Sequence, residues 1–368
     1  MPQILRNFDW PLFTATLLLI ALGLISLWSV ASGWFFYRQI IWTAIGISLL
    51  IIFASIDYRI LRNHSGVVLS VLAFGVMLLV SLLLFGPETR GVTSWFRIGS
   101  VAFEPSEFIK LALVIILAKY FSVRHTEISQ IRHLFISGLY AFVPAVLVLI
   151  QPDLGSAVII ALLWAIIVTL AGINMKHLAV FCAIFAVLAA IGWFFLLAPY
   201  QIERISVFLD PNRDPEGVGF HAIQSLIAVG SGQLVGKGIG YGTQSHLNFL
   251  PEAETDFIFA AIAEETGFIG ITILILLFAF FLWRVLKIGL EAKGNFSKLF
   301  ALGFSALLFL QFLVHSGANI GLLPITGVTL PLISYGGSSL VTLMIGVGIL
   351  ESIRVHSRSD LNDIMEEA

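Results

Sequence analysis

Charged residues are scarce in this sequence. Asp, Glu, Lys and Arg together make up 11% of its 368 residues, whereas 58% of the residues are hydrophobic. In soluble domains about a quarter of the residues are charged. The composition therefore excludes an ordinary soluble domain and indicates a protein that crosses a membrane several times. The formal net charge of −2 gives no indication of nucleic-acid binding.

Cysteine and the common cofactor motifs are also scarce or missing. The single cysteine, Cys182, lies inside an apolar run, which excludes a disulfide framework and favours a buried packing role. The sequence has no nucleotide-binding glycine motif of the usual kinds, no HExxH zinc motif and no paired CxxC motifs. These absences argue against an ATP-driven machine and against a built-in nucleotide cofactor of a common kind.

Long apolar runs are abundant instead. A hydrocarbon core of about 30 Å takes about 20 residues of helix. The first run, 11–31, is too long for a signal-peptide core and lacks a small-residue cleavage site, so we interpret it as a retained helix. The predicted spans are 11–31, 38–56, 66–85, 106–121, 134–150, 154–173, 177–197, 257–283, 299–320 and 335–353. The expected fold class is an all-α polytopic membrane protein with about ten transmembrane helices.

The basic residues predict how these spans are oriented. Thirteen Lys and Arg residues fall in loops on one side of the membrane and six fall on the other side. The six are Arg38, Arg90, Arg97, Arg204, Arg213 and Lys237. The positive-inside rule then places both termini in the cytoplasm.

Residues 1–368 are expected to form a single integral membrane domain with a cytoplasmic tail at 355–368. Between the seventh and eighth helices, 198–256 forms a large extracytoplasmic loop, far longer than the usual connection. It is rich in glycine and contains two amphipathic candidates, Pro199–Leu209 and His221–Val229. Short helices at the membrane interface would suit a protein that handles an amphiphile.

Carboxylates cluster where this loop meets the eighth span. The segment 249–265 contains Glu252, Glu254, Asp256, Glu264 and Glu265. Ionisable groups at a membrane edge are costly to desolvate and indicate a functional site. Asp256 follows Thr255 at an apparent helix start, where backbone N–H groups and the helix dipole favour a charged carboxylate. We predict that Asp256 is a general base, with a plain N-cap as the alternative.

The other four acids of the cluster have simpler alternatives. Taken singly, Glu252 and Glu254 are better explained by a solvated loop than by a functional role, since single surface charges rarely carry function. Glu264 and Glu265 lie inside the apolar run, where pairing with neighbouring helices is the alternative to a functional role.

Three further polar features fall near the same side of the membrane. Glu107 and Lys110 are three residues apart on one helical face, so they form either a buried salt bridge or part of a substrate site. Asp153 either caps the following helix or faces a cavity. The segment Gly336–Ser339, with Ser338 and Ser339, permits close backbone approach, and packing by small residues is its alternative.

Five long motifs, in order between about 86 and 354, carry a resemblance to a known family. They are PSEFIK, QPDLGS, FLDPNRDPEGVGFHAIQS, GTQSHLNFLPEAETDFIFA and TLPLISYGGSS. They resemble the shape, elongation, division and sporulation (SEDS) family of bacterial cell-wall polymerases, and the chain looks most like the elongation branch, RodA. The resemblance implies a ten-helix peptidoglycan glycosyltransferase in the bacterial cytoplasmic membrane that polymerises lipid II.

The resemblance also implies roles for individual residues. Asp256 matches the family's essential acid, and Glu107, Lys110 and Asp153 match positions implicated in its activity. Where the family commonly has His before Thr-Asp, this chain has Glu254, whose negative charge is expected to raise the pKa of Asp256.

The chemistry of lipid II indicates what else the site needs. The 4-hydroxyl of the acceptor attacks the anomeric carbon of the donor and loses its proton to a base. The departing diphosphate needs positive charge, for which the candidates are Lys110, Arg204, Lys237 and a divalent cation, Mg²⁺ or Mn²⁺. No nucleotide or organic cofactor is expected. The expected partners are membrane lipids and a class B penicillin-binding protein.

Two other functions fit the same features. A flippase or transporter of the lipid-linked precursor would also use an apolar bundle with a central Glu107–Lys110 pair. A scaffold without chemistry would only recruit the penicillin-binding protein. An acid at the outer rim beside a large outer loop favours catalysis, because a transporter needs charges through the midplane.

Overall fold

The computed structural model shows a bundle of long helices. It describes residues 7–31, 33–87, 94–98, 101–124, 131–173, 176–177, 179–180, 183, 199–214, 217–247 and 249–366. The helices before the large loop are α1 (Trp10–Val30), α2 (Gly33–Ser55), α3 (Arg59–Asn63), α4 (Ser65–Phe85), α5 (Pro105–Val123), α6 (Ile131–Ile150) and α7 (Leu154–Ala171). Those of the loop and beyond are α8 (Pro199–Leu209), α9 (Val218–Ser231), α10 (Thr243–His246), α11 (Ile258–Glu291), α12 (Asn295–Asn319) and α13 (Gly337–Glu366).

A short antiparallel hairpin stands before α5. Its strands are β1 (Phe96–Ile98) and β2 (Val101–Phe103), and Phe96 lies opposite Phe103 in the register. A 3₁₀ turn, Pro211–Arg213, follows α8.

The predicted fold class is confirmed. Within the described residues eight helices are long and apolar enough to cross a membrane, and α5 occupies the place of the predicted span 106–121. The predicted span 177–197 lies largely outside the described residues, so the count of ten stays a prediction. The chain is a multi-pass membrane protein.

Helix α5 is the central element of the bundle. It contacts α4, α7, α12 and α13, and nearly all of its side chains are buried. Its charged residues Glu107 and Lys110 therefore face protein instead of lipid, which is the arrangement that intramembrane charges require.

Helix α11 is broken at Gly267, which the sequence pattern did not predict. The backbone of Gly267 is non-helical, with φ 66° and ψ −165°. The backbone of Gly236 approaches so closely that a Cβ on Gly267 would lie 2.3 Å from the Gly236 nitrogen. Glycine is therefore needed at Gly267 both for its conformation and for its close approach to the large loop.

The large loop has secondary structure of its own. Both segments predicted as amphipathic helices are helical, since α8 has the bounds Pro199–Leu209 and α9 contains His221–Val229. The loop contacts α11 over α9 and α10. It therefore packs directly against the helix that follows Asp256.

Candidate functional site

A cavity of about 810 Å³ lies where the large loop, the hairpin and the helix ends meet. We call it the polar cavity. Its walls come from α2, the hairpin, the α6–α7 turn, α8, the turns before α11 and the segment before α13. Of the residues predicted for the site, it is lined by Asp153, Arg204, Glu252, Asp256, Ser338 and Ser339. Side chains that are far apart in the sequence thus share one space of the size that binds small molecules.

Asp256 lies in a turn and not at a helix start, which corrects the sequence interpretation. The backbone N–H groups of Thr255, Asp256 and Phe257 all donate to the carbonyl of Glu252, at 3.1, 3.0 and 3.3 Å. Helix α11 begins only at Ile258. The residue at its N-cap is Phe257, so Asp256 does not cap α11.

The pKa of Asp256 is also shifted in the opposite direction to the one that a helix start would give. The pKa of Asp256 is raised to about 6, chiefly by burial in the cavity wall and also by the negative charges of Glu252 and Glu254, whereas Arg204 lowers it. The expectation that Glu254 raises this pKa agrees in direction, although burial is the largest cause. A carboxylate with a pKa near 6 is a stronger base than an ordinary one and is still mostly ionised at pH 7.

The backbone around Asp256 is held on three sides. The amide Nδ2 of Asn319 donates to the carbonyl of Asp256 at 2.9 Å. The hydroxyl of Ser334 donates to the carbonyl of Thr255 at 2.8 Å, and the N–H of Tyr335 donates to that of Glu254 at 2.9 Å. The backbone that carries the Asp256 carboxylate is therefore fixed by α12 and by the segment before α13.

Three arginines give the polar cavity its positive charge. They are Arg38 of α2, Arg97 of the hairpin and Arg204 of α8. The guanidinium of Arg38 lies over the ring of Trp34, with 4.2 Å to its centroid. Sequence reasoning missed Arg38 and Arg97 as site residues. The signal was present, because all three belong to the six basic residues counted on the minority side of the membrane.

Lys237 lies away from the polar cavity, contrary to its predicted place beside the diphosphate. Its ammonium Nζ is 2.7 Å from Glu264 Oε1 and 2.7 Å from Thr243 Oγ1. Glu264 also accepts from the backbone N–H groups of Gln244 and Ser245, at 2.9 and 3.2 Å. Glu264 therefore pairs with the short helix α10 and with the loop before it, which is the alternative to a functional role.

Glu265 likewise bonds the loop and α1. Its carboxylate accepts from the N–H of Gly240 at 3.1 Å and from the hydroxyl of Ser29. His246 Nε2 lies 3.4 Å from the same oxygen.

The Glu107–Lys110 pair lies beneath the cavity wall. Lys110 Nζ is 2.7 Å from Glu107 Oε1, and both side chains are almost fully buried. Glu107 Oε2 accepts from Gln311 Nε2 at 3.0 Å and lies 3.4 Å from the hydroxyl of Ser339, which lines the cavity. The pair is a buried salt bridge, and Ser339 connects it to the cavity.

Asp153 both caps a helix and faces a cavity, so the two interpretations of this residue are compatible. Its Oδ1 accepts from the backbone N–H of Ser156 at 3.0 Å and caps α7, and the residue also lines the polar cavity. Close packing explains Gly337, where a Cβ would lie 2.4 Å from the ring of Trp42.

Glu104 is a cavity residue that sequence reasoning did not select. Its carboxylate accepts from the hydroxyl of Ser106 at 2.5 Å and from the indole N–H of Trp95 at 3.2 Å. Burial, reinforced by the charges of Glu107 and Asp153, raises the pKa of Glu104 to about 8. An acid directly before the PSEFIK motif was the available signal.

The chain is similar in sequence to known proteins over nearly its whole length. A family model for FtsW/RodA/SpoVE cell cycle proteins matches residues 9–359. The chain is 39% identical over 351 residues to the peptidoglycan glycosyltransferase MrdB of Escherichia coli, covering 93% of this chain and 94% of that protein. It is 37% identical over 361 residues to stage V sporulation protein E of Bacillus subtilis, covering 95% and 98%.

Solved structures have the same fold. The rod shape determining protein RodA of Thermus thermophilus matches with a TM-score of 0.72 and 27% identity, over 95% of this chain and 97% of that chain. A chain of a peptidoglycan synthase complex that coordinates polymerization and crosslinking matches with a TM-score of 0.80 and 30% identity. That match covers 94% of this chain and 97% of the other.

Proposed function

The chain belongs to the FtsW/RodA/SpoVE family, and from that membership we propose that it is a peptidoglycan glycosyltransferase that polymerises lipid II during cell elongation. Its relative MrdB is named a peptidoglycan glycosyltransferase. The observation that carries the proposal is Asp256, a carboxylate with a pKa near 6 in the wall of a cavity that three arginines also line.

Asp256 is the general base of this reaction. The 4-hydroxyl oxygen of the acceptor GlcNAc attacks the anomeric carbon of the donor, and its proton passes to the carboxylate of Asp256. The bond between that carbon and the diphosphate oxygen breaks, and the lipid diphosphate departs with the bonding electrons. A single displacement inverts the anomeric carbon. A base whose pKa is close to the working pH contributes about 10²–10⁴-fold to the rate.

The arginines stabilise the departing diphosphate. Arg38, Arg97 and Arg204 line the cavity that contains Asp256. Guanidinium groups bind phosphate oxygens through two parallel hydrogen bonds, which suits a diphosphate better than a point charge does. Arg204 is close enough to Asp256 to lower its pKa. The base and this cation therefore act on adjacent parts of the substrate.

A divalent cation, Mg²⁺ or Mn²⁺, completes the proposal for the site. Among the described residues no three His, Cys, Asp or Glu side chains converge to hold a metal ion. Mg²⁺ commonly takes one or two carboxylates and fills its remaining positions with water and substrate phosphates. The cation would therefore arrive with the diphosphate. Full polymerisation in EDTA would contradict a cation requirement.

The proposed setting is the outer face of the bacterial cytoplasmic membrane, with both termini in the cytoplasm. Three of the six basic residues on the minority side line the polar cavity, which supports an extracytoplasmic site. The proposed partner is a class B penicillin-binding protein. The similarity to a chain of a peptidoglycan synthase complex, in which polymerization is coordinated with crosslinking, supports such a partner.

Polymerisation of purified lipid II by the chain with its partner tests the proposal. We expect Asp256→Ala and Asp256→Asn to abolish glycan synthesis while the protein stays monodisperse. Asp210→Asn is the matched control, because Asp210 is exposed and lies 3.6 Å from Arg213 in an ion pair. Full activity of the Asp256 variants would overturn the catalytic role. Lipid II translocation in liposomes that is independent of Asp256, with no polymerisation, would favour the flippase.

A further inference from the structure

One stretch of the large loop exposes apolar side chains outside the helices. We call residues 233–241 the apolar loop. Leu234, Val235 and Tyr241 expose 68%, 73% and 76% of their surface, and Ile239 is also exposed. In a water-facing loop such side chains would form an apolar patch that soluble surfaces rarely carry.

The charge of the apolar loop is neutralised. Its single charged residue is Lys237, whose ammonium lies 2.7 Å from Glu264 Oε1. The Glu264 side chain is fully buried, so the pair is held on the protein side of the loop. A loop that avoids water needs its charges paired in this way, because an unpaired charge is costly to desolvate.

Five of the six backbone N–H groups of residues 236–241 donate to acceptors within the protein. The donors and their acceptors are Gly236 to the carbonyl of Gly232, Lys237 to that of Glu264, Gly238 to that of Glu265, Gly240 to the Glu265 carboxylate, and Tyr241 to the carbonyl of Gly238. Irregular backbone at membrane depth is tolerated only where protein or a water-filled cavity satisfies it. These five donors meet that requirement without water.

The apolar loop continues the lipid-facing surface of α11. The N–H of Phe268 donates to the carbonyl of Gln233 at 2.9 Å, and the N–H of Ile269 donates to the carbonyl of Leu234 at 3.1 Å. Phe268 and Ile269 are themselves exposed and begin the part of α11 that crosses the membrane after the break. These backbone bonds place the exposed Leu234 and Val235 beside the exposed start of this segment.

We propose that the apolar loop is immersed in the membrane interface, among the headgroups and upper acyl chains of the leaflet nearest Asp256. Glu264 and Glu265 bond the loop to α11 just before its break. The loop therefore fixes the depth of the α11 segment Ile258–Thr266, which starts two residues after Asp256. Lipid is the occupant favoured here, because the exposed side chains are continuous with a span that lipid already covers. A partner protein is the competing occupant.

Fluorescence quenching in vesicles tests this placement. In a Cys182→Ala background, Val235→Cys and Tyr241→Cys are labelled with a small bimane fluorophore and reconstituted without partner. The vesicles contain phosphatidylcholine and phosphatidylglycerol with brominated acyl chains. Leu276→Cys is the control for lipid contact, because Leu276 is exposed on α11. Arg213→Cys is the control for water contact, because the Arg213 side chain is 66% exposed in a polar turn.

We expect the label at Val235 and Tyr241 to lose fluorescence in brominated lipid as the label at Leu276 does, and to resist aqueous iodide. Quenching by iodide with none by brominated lipid, as at Arg213, would overturn the proposal. So would labels that respond to iodide until the penicillin-binding protein is added, because the loop would then be a partner surface. Exposed positions are chosen so that the single cysteines leave folding intact, and size-exclusion profiles check it.

Discussion

The side chain of Asn319 joins two parts of the chain that meet at Asp256. Its Nδ2 donates to the carbonyl of Asp256 at 2.9 Å, and its Oδ1 accepts the N–H of Ala260 in the first turn of α11 at 3.1 Å. Asn319 is buried at the end of α12. One amide therefore fixes the turn that carries the proposed base relative to the helix that follows it.

Replacing Asn319 by Ala should slow catalysis more than it weakens substrate binding. The change leaves a buried carbonyl and a buried N–H without partners, which costs about 1–3 kcal/mol. A small displacement of the base is expected to lower kcat by about tenfold to a hundredfold. Steady-state polymerisation kinetics should show this fall with KM nearly unchanged. Ser316→Ala is the control, since its hydroxyl bonds only the carbonyl of Phe312 in its own helix.

The rate of polymerisation should rise with pH through about 6. The base works only when ionised, and the pKa of Asp256 is raised to about 6 by burial. Glu252→Gln and Glu254→Gln each remove a negative charge that raises this pKa, so both should move the midpoint of the pH–rate profile to lower pH. Arg204→Met should move it to higher pH. If none of the three substitutions moves the midpoint of the pH–rate profile, the profile reports the titration of another group.

Two variants separate the contribution of the Glu107–Lys110 pair to protein stability from its contribution to catalysis. Glu107→Gln alone leaves Lys110 buried without its counter-ion and should destabilise the protein by about 3–5 kcal/mol. The double variant Glu107→Gln/Lys110→Met removes that charge and should recover thermal stability. We expect polymerisation to stay low, because Ser339 loses its carboxylate neighbour in the cavity wall. Recovery of both stability and activity would show that the pair is structural only.

Glu104 should make the protein less stable as the pH rises. Its pKa is raised from 4.5 to about 8 in the folded chain, so the folded state holds this proton more tightly than the unfolded state does. The stability that this bound proton contributes is fully present below pH 4.5 and is lost as the pH rises through about 8.

The side chain in Glu104→Gln cannot titrate. The free energy of unfolding of this variant should therefore change less with pH over this range than that of the parent protein, by about 1–3 kcal/mol. Thermal unfolding in detergent at several pH values measures the difference. Glu203→Gln serves as a control, because Glu203 is exposed on α8. Identical pH profiles for Glu104→Gln and the parent protein would contradict the raised pKa.

Much of the fold was predictable from local pattern. Apolar runs predict membrane helices because a helix satisfies its own backbone where no water is present. Within the described residues, helices occupy nine of the predicted spans, and Asp153 caps α7 as its position before a helix indicated. These features depend on neighbours in the sequence.

The site depended on contacts that no local pattern reveals. Asp256 appeared to begin a helix. The carbonyl of Glu252 instead accepts three N–H groups in a turn, and α11 begins only at Ile258. Lys237 appeared available for a diphosphate, but Glu264, 27 residues later, binds it. Arg38 and Arg97 became site residues only when α2 and the hairpin met the same cavity.

The sequence by itself determined the membrane class and the main spans and selected Asp256 as the proposed base, because hydropathy and motifs are local properties. Only the tertiary structure decided which cations share a cavity with that acid and how strongly it holds its proton. Burial and the spacing of charges set a pKa, and both arise from residues that the fold brings together.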